Sequence, residues 1–239
     1  MILHTKILGE GEAILFLHTG LQTGETDFQY QAEFFSKHYK IVLPDLRGHG
    51  KSTCSKIDNF FYDSVEDLYE TIDFLNIQKC HIVGCSLGAI VGLMFAKKYP
   101  NRVNTLSISG VIPLKPDNWE ELQKADIEQQ DQLLNDNNTR AYFDALHKNN
   151  NWTKFLSLAK KEDWYPFHET GKVENLRIPV LYIVGEEKDH EVCGVLTYKK
   201  MISDIHIAVV PFASHLVHDA QPEVYTNILD LFLQNNKIV

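Results

Sequence analysis

The segment at residues 84–88 constrains the fold of this chain more than any other part of the sequence. It has the letters Gly-Cys-Ser-Leu-Gly, a G-x-S-x-G pattern. Such a pattern holds a serine, here Ser86, on a sharp turn between a strand and a helix, and small residues let the two backbones come close. Residues 79–83 form an apolar run typical of a buried strand, and residues 89–96 are typical of a buried helix. The strand, the turn and the helix that the pattern requires are therefore all predicted.

Apolar runs that suit buried strands alternate with amphipathic stretches along most of the chain. This alternation indicates a parallel sheet covered by helices, so we predict an α/β fold with a doubly wound, mostly parallel sheet. A Gly-Glu-Gly turn at residues 9–11 indicates a hairpin between the first two strands. The predicted strands are residues 2–8, 13–18, 40–44, 79–83, 103–109, 179–185 and 205–210, and the clearest predicted helices are residues 27–38, 64–75, 89–96 and 222–233.

One segment interrupts this alternation. From about residue 113 to residue 173 the chain is polar and helix-prone, without a strand-like run. We therefore predict a helical cap at 113–173, inserted into a core formed by 1–112 and 174–239. The cap contains Arg140 as its only arginine, which disfavours a substrate with several carboxylates or phosphates. Its aromatic side chains favour packing and a largely apolar pocket roof; they include Trp119, Trp152, Phe155, Trp164, Tyr165 and Phe167.

Composition and charge exclude several classes of partner. The 239 residues carry a net charge of −9, which argues against nucleic acid or an anionic membrane surface. No apolar run approaches the roughly 20 residues of a membrane helix, and no signal peptide is visible. The four cysteines lack CxxC spacing, so we expect a cytoplasmic protein with reduced thiols. The eleven histidines lack metal-ligand spacing, so we expect no metal and no cofactor; the oligomeric state stays open.

A serine nucleophile needs a neighbouring base, and histidine suits that role near neutral pH. His215 directly follows the last predicted strand, which places it on a loop at the carboxyl end of the sheet, the edge where Ser86 lies. His218, three residues later, enters the start of the final helix and is the alternative. We predict that His215 is the base.

A catalytic triad of this kind has an acid as its third residue, which must orient the imidazole and stabilise its charged form. Three acids follow the strand that ends at Gly185, and Asp189 is the predicted choice, with Glu187 second. Asp117, after the preceding strand, is a weaker alternative.

An oxyanion hole needs two backbone N–H groups aimed at the developing charge. One is expected from Leu87, directly after the nucleophile. The other is expected from the loop after the second strand, where Gly20 allows close approach of a ligand. His18 in that loop is interpreted as a residue that organises the loop rather than as a second base.

With these motifs the chain resembles α/β hydrolases of the esterase, lactonase and C–C hydrolase kind, from about residue 13 to the C-terminus except in the cap. Residues 44–52, Pro-Asp-Leu-Arg-Gly-His-Gly-Lys-Ser, are similar to the family's glycine-rich turn before the nucleophile elbow. That turn is a scaffold motif, so Asp45 and His49 are assigned no chemistry. The order Ser, Asp, His along the chain is also the family's order.

Two departures from the family pattern affect the site. The usual His-Gly after the second strand is His18-Thr19 here, so either Thr19 or Gly20 supplies the N–H. The family's acid commonly lies three residues after the strand-end glycine, whereas Asp189 lies four residues after Gly185.

The resemblance implies a serine hydrolase that cleaves a small carboxylic ester or lactone through an acyl-enzyme. C–C bond hydrolysis and cofactor-free perhydrolysis use the same residues and stay open, as does a ligand-binding protein without turnover. Branches of the family with an aspartate nucleophile are disfavoured because the elbow carries Ser86, and Cys85 precedes the apex of the turn.

Overall fold

Seven strands form one sheet in the computed structural model, which describes residues 1–237. They are β1 (Thr5–Leu8), β2 (Ala13–Leu17), β3 (Lys40–Pro44), β4 (Cys80–Cys85), β5 (Val103–Ser109), β6 (Val180–Gly185) and β7 (Ile205–Val210). Their order across the sheet is β1-β3-β2-β4-β5-β6-β7. Every neighbouring pair is parallel except β1 with β3. β2, β4 and β6 are buried along their whole length, as expected for strands covered on both faces.

Helices cover both faces of the sheet. On one face lie α1 (Gln29–Phe35), α9 (Val217–Ala220) and α10 (Pro222–Asn235), and on the other lie α2 (Phe60–Phe74), α3 (Leu87–Lys98) and α8 (Asp189–Met201). Successive strand residues serve the two faces in turn: Leu15 packs with α2 and α3, and Phe16 packs with α1. The predicted doubly wound α/β fold is confirmed. Of the helices in residues 1–237, none combines the length and apolar character that crossing a bilayer requires.

The predicted hairpin at the N-terminus is wrong. β1 pairs antiparallel with β3, with Ile7 opposite Val42, and β3 lies between β1 and β2. The physical reason is burial: β2 is covered on both faces and pairs with a parallel neighbour on each side, whereas β1 is only partly buried and forms the edge. Helix α2 also begins at Phe60, four residues before the predicted start.

Between β5 and β6 the described chain forms four helices, α4 (Trp119–Asn135), α5 (Asn137–Leu146), α6 (Trp152–Ala159) and α7 (Phe167–Thr170). Asp136 caps α5 by accepting the N–H of Thr139 at 2.7 Å, and Asn151 caps α6 by accepting the N–H of Lys154 at 2.9 Å. α4 contains no buried residue, whereas α6 buries four side chains against the core, Phe155 among them. Helix α6 is therefore the helix of the insertion that buries the most side chains against the core, and α7 also contacts α3.

Candidate active site

Ser86 lies at the turn between β4 and α3, in a backbone conformation that few L-residues adopt. Its φ is 52° and its ψ is −116°. A Cβ on Gly84 would lie 2.6 Å from the carbonyl carbon of Gly88, and a Cβ on Gly88 would lie 2.0 Å from the carbonyl oxygen of Leu17. The two glycines are therefore required by the close approach of β4, α3 and β2. The turn presents the half-buried Ser86 at the carboxyl end of the sheet.

His215 lies on the loop between β7 and α9, next to the same turn. Its Nδ1 is 2.6 Å from Oε1 of Glu191. A Cβ on Gly110 would lie 2.8 Å from Cε1 of His215 and 3.1 Å from the backbone nitrogen of Ser86, so the imidazole and the serine flank one glycine. In the described residues no hydrogen bond joins Oγ of Ser86 to His215, and such contacts are commonly long before a substrate binds.

The carboxylate that contacts His215 belongs to Glu191 and not to Asp189, Glu187 or Asp117. Asp189 and Glu191 both lie in the first turn of α8. Residues two apart on a helix point about 200° away from each other, so only one of the two can face His215. Asp189 and Glu187 instead line a groove of about 590 Å³ beside α8, and Asp117 is exposed in the loop after β5.

Glu191 is held in a closed environment. Only 2% of its side chain is exposed, and its second carboxylate oxygen has no partner among the described residues. The hydroxyl of Tyr182 donates to a carbonyl, either that of Val111 at 2.6 Å or that of Glu191 at 3.0 Å. A carboxylate 2.6 Å from Nδ1 is placed to orient the imidazole of His215. Reasoning from sequence missed Glu191 because only knowledge of where α8 begins would have separated it from Asp189.

The two backbone N–H groups that the sequence predicted for an oxyanion hole have no acceptor within residues 1–237. One belongs to Leu87 at the start of α3, and the other belongs to Gly20 in the loop after β2. The N–H of Thr19, the alternative that the sequence left open, donates to Oδ2 of Asp27 at 2.7 Å. Of Thr19 and Gly20, Gly20 is therefore the one whose N–H is available.

His18 organises this loop, as its position in the sequence suggested. Its Nδ1–H donates to the carbonyl of Thr19 at 2.8 Å, and its Nε2 accepts the N–H of Leu46 at 2.8 Å. These two contacts require the neutral imidazole, and burial lowers the pKa of His18. Both ring nitrogens are occupied, which leaves no nitrogen for a second base.

His218, the alternative to His215, pairs with Asp27. It is buried, and its Nε2 lies 2.7 Å from Oδ1 of Asp27. Its ring stacks on Phe28 with centroids 4.1 Å apart. His218 thus joins the histidine loop to α1.

The inserted helices place one aromatic side chain over the site. A Cβ on Gly20 would lie 3.7 Å from Cε1 of Phe155. The Phe155 ring also packs on His49 at 4.6 Å and on Phe60 at 5.3 Å between centroids. Two other aromatics of the insertion pack within it: Trp119 contacts Tyr165 and Phe167, and Trp152 contacts Phe143. Trp164 instead packs on α2.

The chain was compared with known proteins and protein families. A family of proteins with the alpha/beta hydrolase fold matches residues 12–162. The strigolactone esterase D14 of Arabidopsis thaliana is 30% identical over 115 residues, which cover 46% of this chain and 43% of that protein. The chain spans about two fifths of the length of the curated relatives it matches.

Solved structures share the fold over nearly the whole chain. NosK from Streptomyces actuosus has a TM-score of 0.82 at 22% identity, covering 95% of this chain and 99% of that one. The enol-lactonase from Burkholderia xenovorans LB400 has a TM-score of 0.74 at 18% identity, covering 97% and 96%. The family match covers more than half of the residues, and the chain therefore belongs to the alpha/beta hydrolase fold family.

Proposed function

We propose that this protein is a serine hydrolase of small carboxylic esters or lactones, with Ser86 as nucleophile, His215 as base and Glu191 as the acid of the triad. The observation that carries the proposal is the 2.6 Å contact between His215 and the buried Glu191, beside a serine on a strained turn. A charge-assisted contact of this kind fixes the orientation of an imidazole and stabilises its protonated form.

The chemistry follows from these positions. Glu191 accepts the Nδ1–H of His215, which leaves Nε2 free to take the proton of Ser86. The serine oxygen then attacks the carbonyl of the substrate, and the N–H groups of Leu87 and Gly20 stabilise the oxyanion. The protonated His215 gives its proton to the leaving alcohol, and a water molecule activated by His215 releases the acyl group from Ser86.

The surroundings of Ser86 support an uncharged substrate. Phe155 and Phe60 give the wall above Gly20 an aromatic character. Arg140 is exposed on α5. The names of an esterase and an enol-lactonase among the similar proteins agree with attack on an ester carbonyl.

The test is turnover and active-site labelling of the Ser86→Ala variant. We expect wild-type protein to hydrolyse p-nitrophenyl acetate and to react with a fluorophosphonate probe. Ser86→Ala should lose labelling and lower kcat by at least about 10⁴-fold. The matched control is Cys85→Ala, which changes the neighbouring buried side chain and should keep the label on Ser86.

Two outcomes would contradict the proposal. Ester hydrolysis retained by Ser86→Ala would place the nucleophile elsewhere. A folded wild-type protein that neither turns over nor reacts with the probe would favour a ligand-binding role without catalysis. A panel of acyl esters and lactones of graded chain length then defines the substrate class.

A further inference from the structure

Asp27 connects the loop that supplies the oxyanion N–H with the loop that carries the catalytic histidine. Its Oδ2 accepts the backbone N–H of Thr19 at 2.7 Å. Its Oδ1 lies 2.7 Å from Nε2 of His218, three residues after His215. One carboxylate thus joins the loop after β2 to α9, which follows the histidine loop and lies almost two hundred residues away in sequence.

The carboxylate and the imidazole are both shielded from water. The exposed fraction of the side chain is 10% for Asp27 and 2% for His218. Burial on its own would raise the pKa of Asp27, but the hydrogen bonds from His218 and from the N–H of Thr19 hold that pKa below its ordinary value. Asp27 is therefore ionised at neutral pH, when its two contacts are charge-assisted.

Neighbouring groups fix the position of this pair. Phe28 has a φ of 46°, a strained value for an aromatic residue, and its ring stacks on His218. The side-chain amide of Gln31 donates to the carbonyl oxygen of His218 at 3.0 Å. The imidazole is thus held at its ring and at its backbone, and Asp27 has little freedom to move away from Thr19.

The contacts of Asp27 and His18 fix two consecutive peptide planes and so set the direction of the Gly20 N–H. Asp27 fixes the plane between His18 and Thr19 through the Thr19 N–H. The next plane carries both the Thr19 carbonyl and the Gly20 N–H, which point in opposite directions because the peptide is trans. The Thr19 carbonyl accepts from Nδ1 of His18 at 2.8 Å and from the N–H of Gln22 at 3.2 Å. With both planes fixed, the Gly20 N–H has a single direction.

We propose that Asp27 and His218 are positioning residues that orient the Gly20 N–H of the oxyanion hole and hold it against the histidine loop. This inference rests on the proposed function, because an oxyanion hole matters only if Ser86 attacks a carbonyl. Neither side chain contacts the reacting atoms; both act through the backbone of Thr19 and through the histidine loop.

The experiment compares Asp27→Ala with Asp27→Asn in the full chain. Asp27→Ala removes the acceptor for the Thr19 N–H, and we expect kcat for p-nitrophenyl acetate to fall about 100-fold, the order seen when one oxyanion donor is lost. KM should change less than about threefold, because the ground state gains little from the hole. Affinity for a trifluoromethyl ketone, which forms an oxyanion on binding, should fall in parallel with kcat. Asp27→Asn keeps an oxygen acceptor and should recover kcat to within about tenfold of wild type.

Glu12→Ala is the matched control. Glu12 also lies beside a buried histidine, with Oε1 3.1 Å from Nε2 of His81, but this pair is at the amino-terminal edge of β2 and β4, opposite the elbow. We expect kcat of Glu12→Ala to stay near wild type. His218→Phe provides a second variant if Asp27→Ala does not fold; it keeps an aromatic ring against Phe28 and removes the donor to Asp27, and we expect a loss of kcat of about tenfold.

The outcomes separate the two proposals. Suppose that the wild-type protein reacts with a fluorophosphonate and that a folded Asp27→Ala variant keeps the wild-type kcat. This pair of results would overturn the positioning role and leave the proposed function standing. An equal loss in Glu12→Ala, or no recovery in Asp27→Asn, would show a general effect of buried pairs on the fold and would also overturn it. Wild-type protein without labelling or turnover would refute the proposed function, and the inference would fall with it.

Discussion

The assignment of Glu191 rather than Asp189 leads to a sharp prediction about Glu191→Gln. The carboxylate accepts from Nδ1 of His215, so it keeps the ring proton on that nitrogen and leaves Nε2 free to accept from Ser86. A glutamine amide can turn its NH₂ towards Nδ1, which moves the ring proton to Nε2. The imidazole in that tautomer cannot take the proton of Ser86.

The size of the effect follows from the buried contact. A carboxylate-to-amide change at the acid of a serine triad lowers kcat by about 10⁴-fold, equivalent to about 5.5 kcal/mol of transition-state stabilisation. Glu191 is 2% exposed, and glutamine has nearly the same size and shape as glutamate, so urea unfolding serves to show that the variant folds.

The assay measures kcat and KM for p-nitrophenyl acetate together with urea unfolding, for Glu191→Gln, Asp189→Asn and Glu187→Gln. The two control variants change acids of the neighbouring groove and should keep kcat within about threefold of wild type. Full activity of Glu191→Gln combined with a large loss in Asp189→Asn would refute the reasoning, because it would show that α8 presents a different face to His215 in the working enzyme.

Three further predictions test the site and its support. Gly110→Ala places a Cβ 2.8 Å from the imidazole of His215, so kcat/KM should fall about 100-fold in a folded protein, and unchanged kinetics would contradict this. Burial keeps the pKa of His18 and of His49 below the ordinary value, so the unfolded chain binds more protons below about pH 6.5 and stability is lost as the pH falls. Urea unfolding should show a lower free energy of unfolding at pH 5.5 than at pH 7, and equal stability at the two pH values would refute the assignment of neutral rings. Phe155→Ala should lower the free energy of unfolding by about 3 kcal/mol in urea titrations, because the side chain is 4% exposed; a loss below about 1 kcal/mol would show that the insertion packs loosely.

The sequence predicts most of the sheet because its strands are continuous apolar runs. β3, β5 and β7 have the predicted bounds, since each run has a clear end in the local sequence. The partner of β1 was not predictable in the same way. Pairing with β3 depends on which strand is left at the edge when β2 takes β3 and β4 as neighbours, and that choice involves the whole sheet.

The site shows the same division between local and long-range information. Ser86 could be predicted because the glycines on both sides of it, which the close approach of β4, α3 and β2 requires, stand within one short segment of the sequence. The partner of His215 could not, because Asp189 and Glu191 differ only in which side of α8 they occupy. Whether Thr19 or Gly20 offers a free N–H could not be predicted either, since it depends on the contact of the Thr19 N–H with Asp27 across the loop.

Backbone strain in this protein lies around the candidate site. Within residues 1–237, five residues other than glycine have positive φ: Leu21, Phe28, Ser86, Phe212 and Asn76. Asn76 follows the end of α2 and is a residue type that tolerates this conformation. The other four lie in the loop before α1, at the elbow and in the histidine loop, and each costs about 1 kcal/mol for an L-residue with a Cβ. The fold must supply that energy through distant contacts, such as the stacking of Phe28 on His218. The backbone N–H groups and the imidazole around Ser86 are therefore held in place by tertiary structure, and substitutions far from the serine in sequence should alter its chemistry.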